Sequence, residues 1–382
     1  MKIPRFYADL GPFLKPNKVL VLYGPRQVGK TTLLKDYLGT SPWKHRLDSG
    51  EDVRIQEILE SRDFRTIKEY AAGFELLAID EAQKVRGIGE ALKILVDQVP
   101  EIRVIATGSS SFDSAGQVGE PLTGRKTTLT LFPVAQMELA KLFTPFELRE
   151  RLEDFLIFGG YPEVAATQEM KEKTRLLTEI ASSYLLKDIL AFDRVKSSKI
   201  LLDLLRLLAF QVGSEVSLSE LAQKVGLDYK TVGRYLDLLE KSFVIFTLRG
   251  FSRNLRNEMT KKAKYYFFDT GIRNALIANF NPPALRNDIG QLWENFLLME
   301  RIKRQAYRAL PVNHYFWRTW QAQEIDLVEE REGRLFAYEF KWAGKRRVPG
   351  KFREAYPEAA FEIVNRENYQ PFVGASGLDG PS

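Results

Sequence analysis

The chain has 382 residues, 45% hydrophobic and 28% charged, with 56 Lys and Arg against 50 Asp and Glu and a formal net charge of +6. At about 100–200 residues per domain this length predicts two or three domains, and the composition is that of a globular protein rather than a disordered one. Cysteine is absent, which excludes disulfides, thiol nucleophiles, Cys-ligated zinc and iron–sulfur clusters, and having only two histidines, His45 and His314, argues against a multi-histidine metal site.

No apolar run approaches the ~18 residues that span a bilayer, and residues 1–10 lack the apolar core of a signal peptide. A cytoplasmic protein with no membrane partner is therefore expected, one whose chemistry rests on carboxylates, Lys, Arg and hydroxyls.

The first ordered stretch, residues 18–39, reads as a short apolar strand (Lys18–Leu22), a glycine loop and a helix (Lys30–Leu38). The loop, Gly24-Pro25-Arg26-Gln27-Val28-Gly29-Lys30-Thr31 followed by Thr32, fits G-x-x-x-x-G-K-[ST] in full and sits between a strand and a helix, the context this motif requires. Glycines let backbone N–H groups curl round a phosphate, and the helix N-terminus adds partial positive charge. Lys30 is placed to reach the β- and γ-phosphates and Thr31 to set its hydroxyl on Mg²⁺.

A second apolar run, Phe74–Ile79, ends in Asp80-Glu81. It puts a carboxylate at the C-terminal edge of a parallel sheet, beside the loop, where Asp80 can hold Mg²⁺ through water and Glu81 can polarise the attacking water. A third run, Ile102–Ala106, ends in Thr107–Ser111. Apolar strands separated by helix-length polar segments predict a parallel α/β sheet covered on both faces.

With these motifs residues 1–133 resemble the P-loop core of the AAA+ ATPases. The resemblance implies ATP and Mg²⁺ as cofactors, ATP hydrolysis as the reaction, and a homo-oligomer, with a hexameric ring as one form. It also implies a γ-phosphate sensor at the end of the third strand, a place shared by Thr107 and Ser109. An arginine given by a neighbouring subunit completes such sites, and Arg125 is the candidate here.

Residues 134–195 turn helical, with Glu147–Phe158, a Gly159-Gly160-Tyr161-Pro162 break and Lys171–Asp188, and read as a helical lid. Residues 196–275 match the plan of a winged helix-turn-helix: a helix at Ser217–Val225, a turn at Gly226-Leu227, Asp228 as N-cap of Tyr229–Lys241, then strands Phe243–Leu248 and Tyr265–Phe268 round a basic connection.

The positive charge is concentrated. Residues 249–264 carry six Lys and Arg against one Glu, and residues 341–353 carry six and no acid, so the rest of the chain sums to −5. Localised positive charge is the footprint of a polyanion such as DNA, against a solvated basic surface as the plain alternative.

Beyond a helix at Leu292–Lys303, strands are expected at His314–Trp320, Glu324–Glu330 and Leu335–Trp342, and residues 374–382 form a disordered tail. A two-residue turn at Glu332-Gly333 sets Asp326 opposite Glu339 and Glu324 opposite Lys341, and places Ile325 and Leu327 on the other face with Phe336, Tyr338 and Phe340. Two opposed carboxylates suit a hard divalent cation, and a nearby lysine can activate water. A solvent-facing strand pair with cross-strand ion pairs is the alternative. The order helix-Glu294, strand-Asp326, strand-Glu339-x-Lys341 resembles the PD-(D/E)xK nucleases, so residues 285–370 are expected to form an α/β restriction-endonuclease-like domain. Residues 1 to about 350 as a whole resemble a group of bacterial and archaeal AAA ATPases with this domain order.

Overall fold

The computed structural model describes residues 2–109, 121–184, 197–251, 263–319, 323–344 and 349–375. Most of the basic connection after Arg249, residues 345–348 of the second basic stretch, the end of the expected 171–188 helix and most of the tail lie outside the described residues.

The N-terminal sheet has five strands: β1 (Lys18–Tyr23), β2 (His45–Ser49), β3 (Leu76–Asp80), β4 (Arg103–Gly108) and β5 (Lys126–Thr130). Their order is β2-β3-β4-β1-β5 and every pairing is parallel. Helices α1 (Lys30–Leu38), α2 (Val53–Glu60), α3 (Phe64–Ala71) and α4 (Ile88–Gln98) supply the crossovers. Side chains alternate along β1 so that Leu20 and Leu22 enter one core while Val19, Val21 and Tyr23 enter another on the opposite face. A sheet buried on both faces needs such a continuous apolar run, which is why these strands were legible. The expected α/β class with a parallel phosphate-loop sheet is what the chain adopts.

The helical segment after this sheet comprises α5 (Gln136–Leu139), α6 (Pro145–Glu150), α7 (Leu152–Phe158), α8 (Pro162–Ala166) and α9 (Met170–Glu179). The expected helix Glu147–Phe158 is two helices meeting at Arg151. Gly159 and Gly160 are required by close approach: a Cβ on Gly159 would lie 2.1 Å from Asp269 Oδ1, and one on Gly160 would lie 2.4 Å from the Val134 carbonyl oxygen.

Next come α10 (Ser198–Phe210), β6 (Glu215–Val216), α11 (Leu218–Val225), α12 (Tyr229–Lys241), β7 (Ile245–Gly250) and β8 (Ala263–Phe267), in the order expected for a winged helix. Asp228 caps α12 by accepting the Thr231 N–H at 2.9 Å, and Gly226 takes the left-handed turn.

The β7–β8 hairpin is not a free-standing wing. Beyond α13 (Thr270–Leu276) and the long α14 (Ile289–Tyr307), strands β9 (Asn313–Arg318), β10 (Glu324–Arg331), β11 (Arg334–Phe340) and β12 (Ala360–Val364) join it in one seven-stranded sheet, β12-β11-β10-β9-β7-β8-β6. The seam is a parallel pairing of Arg249 with Tyr315 and Gly250 with Phe316. Helices α15 (Gly350–Ala355) and α16 (Tyr369–Val373) complete the chain.

The β10–β11 hairpin has the expected register, with Arg331 opposite Arg334 and Leu327 opposite Tyr338. The expected apolar face is corrected. Pairing of β10 with β9 shifts register between Ile325 and Val328. A one-residue irregularity reverses the side-chain alternation. Ile325 therefore packs with Val328, Ala337, Trp317 and Phe352, while Leu327 packs with Tyr338 and Phe340 in the main core.

Under the second sheet lies a buried polar chain. Arg301 Nε and Nη2 donate to both oxygens of Glu329 at 2.7 and 2.9 Å, Gln305 donates to Glu329 at 2.7 Å, and His314 Nε2 lies 2.5 Å from Gln305 Oε1. Burial lowers His314 from 6.5 to about 4, although Glu329 pulls the other way. Between those two pH values the unfolded chain binds a proton that the folded chain refuses, so His314 withdraws stability as pH falls from about 6.5 towards about 4, by up to about 3 kcal/mol. Glu329, which Arg301 holds below the ordinary carboxylate range despite burial, adds a loss at the acidic end. Thermal melts from pH 7 to pH 4 should show this decline, with a shallower slope in His314→Gln. An equal slope in both proteins would dismiss the His314 assignment.

Candidate nucleotide site

The loop after β1 takes the shape its glycines permit. Gly24 has φ +152° and a Cβ there would sit 2.1 Å from the carbonyl oxygen of Leu131, while Gly29 has φ +89° at the start of α1. Gln27 is also left-handed, with φ 61°. Val28 is fully buried in the core and anchors the loop from below. Lys30 is 5% exposed, and its Nζ donates to the carbonyl oxygens of Gly24 at 2.9 Å and Pro25 at 2.7 Å.

At the tip of β3 the carboxylate of Asp80 accepts from Thr31 Oγ1 at 2.7 Å and from Thr107 Oγ1. Thr107 Oγ1 in turn accepts the Glu81 N–H at 3.1 Å. The sequence left Thr107 and Ser109 undivided; the fold separates them. Thr107 sits on Asp80, whereas Ser109 Oγ accepts from Gln83 Nε2 at 3.3 Å, and the same amide donates to Glu81 Oε2 at 2.7 Å. Glu81 has φ 51°, a strained position for a non-glycine residue, and a Cβ on the neighbouring Gly50 would lie 2.5 Å from the Glu81 carbonyl oxygen.

A cavity of about 800 Å³ opens over this group. Arg26, Gln27, Gly29, Lys30, Thr31, Thr32 and Glu81 line one side, and the N-terminal Lys2, Ile3, Pro4 and Arg5 with Pro162 and Glu163 of α8 close the other. A hydroxyl and a carboxylate 2.7 Å apart at the edge of a roomy cavity are a donor set that fits Mg²⁺, which keeps several waters and takes few protein ligands.

Arg125, expected to serve a neighbouring subunit's site, lies away from this one. It lies at the start of β5, beside Val19 at the other end of β1 from the loop, and its Nε is 2.6 Å from Asp97 Oδ1.

A second group of charges gathers where β8, α14, β10 and β11 meet. Lys264 Nζ, 2% exposed, is 2.5 Å from Glu324 Oε1 and 3.3 Å from Glu294 Oε1, and Tyr266 Oη donates to Glu294 at 2.6 Å. Asp326 Oδ2 accepts the Phe340 N–H at 2.7 Å, and Lys341 Nζ is 2.9 Å from Glu339 Oε1. Asp326 and Glu339 are buried, at 7% and 0% exposure, so the solvent-facing alternative is set aside.

Burial, then the carboxylates of Glu294 and Glu339, push Asp326 well above the usual carboxylate range, with Lys264 opposing. The expected pairing of Glu324 with Lys341 is corrected: Glu324 pairs with Lys264, which β8 brings into the centre, and Lys341 pairs with Glu339. The sequence assigned Lys264 to a phosphate-binding basic surface, and its burial removes it from one.

Glu294, Asp326 and Glu339, which the nuclease-like resemblance assigns to a divalent metal, lie together at this centre with Lys264 among them. Lys264 lies between Glu294 and Glu324, Asp326 accepts one backbone N–H through Oδ2, and Glu339 meets Lys341 through Oε1. Among the described residues no group of three or more His, Cys, Asp or Glu is arranged to hold a metal ion.

Comparison with known proteins agrees with the geometry of the first site. Residues 16–140 match the family model of an AAA domain. Residues 149–283 and 289–375 match two domains of unknown function, DUF8612 and DUF4143. The chain is 27% identical over 351 residues to an uncharacterized protein of Mycobacterium tuberculosis, covering 91% of this chain and 76% of that one.

It is 26% identical to an uncharacterized protein of Haemophilus influenzae, covering 78% of each, and 24% identical to one of Methanocaldococcus jannaschii, covering 94% and 83%. Among solved structures, a signal-transduction ATPase with a tetratricopeptide repeat sensor from Pyrococcus horikoshii aligns at 15% identity and TM-score 0.27, over 78% of this chain and 44% of that one. The Holliday junction branch migration motor RuvB of Thermotoga maritima aligns at 19% identity and TM-score 0.29, over 63% and 83%.

Sequence reasoning missed Arg5, Gln83, Glu138 and Tyr266, and put Lys264 on the surface rather than in the acidic centre. Gln83 lies two residues past Glu81 and could have been suspected from that spacing. The others come from distant parts of the chain and carry no local motif.

Proposed function

We propose that this protein is a Mg²⁺-dependent ATPase whose turnover is coupled to movement of its winged-helix and C-terminal parts, with DNA as the partner. The observation that carries the ATPase reading is the convergence of Lys30, Thr31, Asp80 and Glu81 at one edge of the parallel sheet, under a cavity large enough for a nucleotide. Magnesium, when bound, supplies charge neutralisation between the terminal phosphates. Thr31 and Asp80 would hold it. Lys30 would exchange its loop carbonyls for phosphate oxygens, and the backbone of residues 24–31 would donate to the others. Glu81 would take a proton from the attacking water, with Gln83 and Thr107 fixing its position.

Movement is supported by direct contact: the long α14 reaches the nucleotide loop at its Tyr307 end, through Arg5, and the second sheet's acidic centre at Glu294. Exposed Lys230, Arg234 and Lys241 on α12 and Arg249 on β7 support a phosphate-backbone partner.

The pairing of Lys264 with Glu294 and Glu324 favours a C-terminal centre that joins the hairpin to the sheet rather than one that cuts. An ATPase assay with and without single- and double-stranded DNA, run beside a cleavage gel, tests all three statements. Turnover stimulated by DNA and weakened by salt is expected, with no cleavage, and Asp326→Asn should leave ATP turnover within about twofold. Absence of any ATP turnover would remove the main reading, a DNA-indifferent rate the partner, and Mg²⁺-dependent cleavage lost in Asp326→Asn the silent centre.

A further inference from the structure

Arg5 belongs to no motif, yet its guanidinium meets four partners at the edge of the cavity. It is 8% exposed. Nη1 donates to the Val28 carbonyl oxygen inside the phosphate loop, Nη2 donates to the Phe132 carbonyl oxygen at 2.6 Å and lies 3.4 Å from Tyr307 Oη, and Nε pairs with Glu138 Oε1 at 3.0 Å. Glu138, fully buried, also accepts the N–H groups of Phe6 at 2.6 Å and Ala135 at 2.9 Å, so the acid is as fixed as the base. Phe6 stacks on Tyr307 at 4.9 Å, and Tyr307 Oη accepts the Phe132 N–H at 3.1 Å. Three segments distant in sequence, around Val28, residues 132–138 and Tyr307, thus converge on one planar cation.

The effect on the loop comes from peptide geometry. In a planar trans peptide the C=O and N–H point in opposite directions. A guanidinium that holds the Val28 carbonyl therefore turns the Gly29 N–H, the other half of the same unit, away from itself; Gly29 lines the cavity. Such backbone N–H groups are what a phosphate loop offers its ligand. Arginine suits the task because its rigid planar fork meets these acceptors from three separate nitrogens, whereas a lysine would have to reach them all from one.

We infer that Arg5 is a positioning residue for nucleotide binding, setting the Val28–Gly29 peptide of the phosphate loop while Glu138 and Tyr307 hold Arg5 itself. The inference rests on the ATPase reading and extends it to a residue outside the motif. Because the fixed peptide serves bound substrate and transition state alike, its loss raises KM and leaves kcat nearly unchanged.

The test uses the full chain and two variants. Arg5→Lys keeps a charge for Glu138 but gives up the fork, and Arg5→Met combined with Glu138→Gln removes both charges so that neither is buried alone. Steady-state turnover against Mg·ATP should show KM raised roughly tenfold in each, with kcat within about twofold and a folded circular-dichroism spectrum. An unchanged KM in either folded variant overturns the inference, as does a fall in kcat at constant KM. Failure of the wild-type protein to bind Mg·ATP is a different result and strikes the ATPase reading itself.

Discussion

Lys30→Ala should lower ATP turnover by roughly a hundredfold to a thousandfold, the scale seen when one preorganised charge is removed from a developing anionic centre. The native Lys30 is held by the Gly24 and Pro25 carbonyl oxygens, so its ammonium is already at the loop before any ligand arrives. Those two hydrogen bonds are a modest part of stability, each about 1 kcal/mol, and the variant should fold. A phosphate-release assay on the folded variant gives the answer. Turnover within tenfold of the wild type would contradict the role given to Lys30.

The largest stability effect is expected at Arg301. Its guanidinium makes a two-pronged pair with Glu329, at 2.7 and 2.9 Å, and a third bond to the Phe372 carbonyl oxygen at 2.9 Å, with Arg301 6% exposed and Glu329 fully buried. Arg301→Ala leaves the buried carboxylate with only the Gln305 amide and the more distant Arg331, at 3.8 Å, to offset its charge. Breaking a buried pair from one side costs about 3–5 kcal/mol, a large share of the 5–15 kcal/mol that keeps a typical domain folded. Urea unfolding at pH 7 should show the loss, and Arg301→Met combined with Glu329→Leu should recover most of it, because it removes the orphan charge as well as the pair. A single variant destabilised by less than about 1 kcal/mol would mean that Glu329 is hydrated or protonated in the native protein.

The two predictions differ in how they could have been found. Lys30 stands in a contiguous motif whose chemistry depends on neighbours in sequence. Arg301 and Glu329 are 28 residues apart on a helix and a strand, and nothing local in either segment marks the pair.

The same division runs through the whole molecule. Sequence alone determined the parallel sheet, because strands buried on both faces must be continuously apolar. It determined the phosphate loop and the Asp80-Glu81 tip, because glycine freedom and a strand ending in acid are local properties. It determined the α12 cap at Asp228 and the register of the β10–β11 hairpin, because a cap and a two-residue turn act over a few residues.

Only the tertiary structure decided the rest. It seated Thr107 rather than Ser109 on Asp80, sent Arg125 to the far end of its strand, and reversed Ile325 at a register shift. It also fused the hairpin to the C-terminal strands in one sheet, which carried Lys264 into the acidic centre. Arg5 came to the phosphate loop in the same way. Each of these outcomes depends on which surfaces a folded chain brings together across long separations, and such contacts leave no period, spacing or composition behind in the chain.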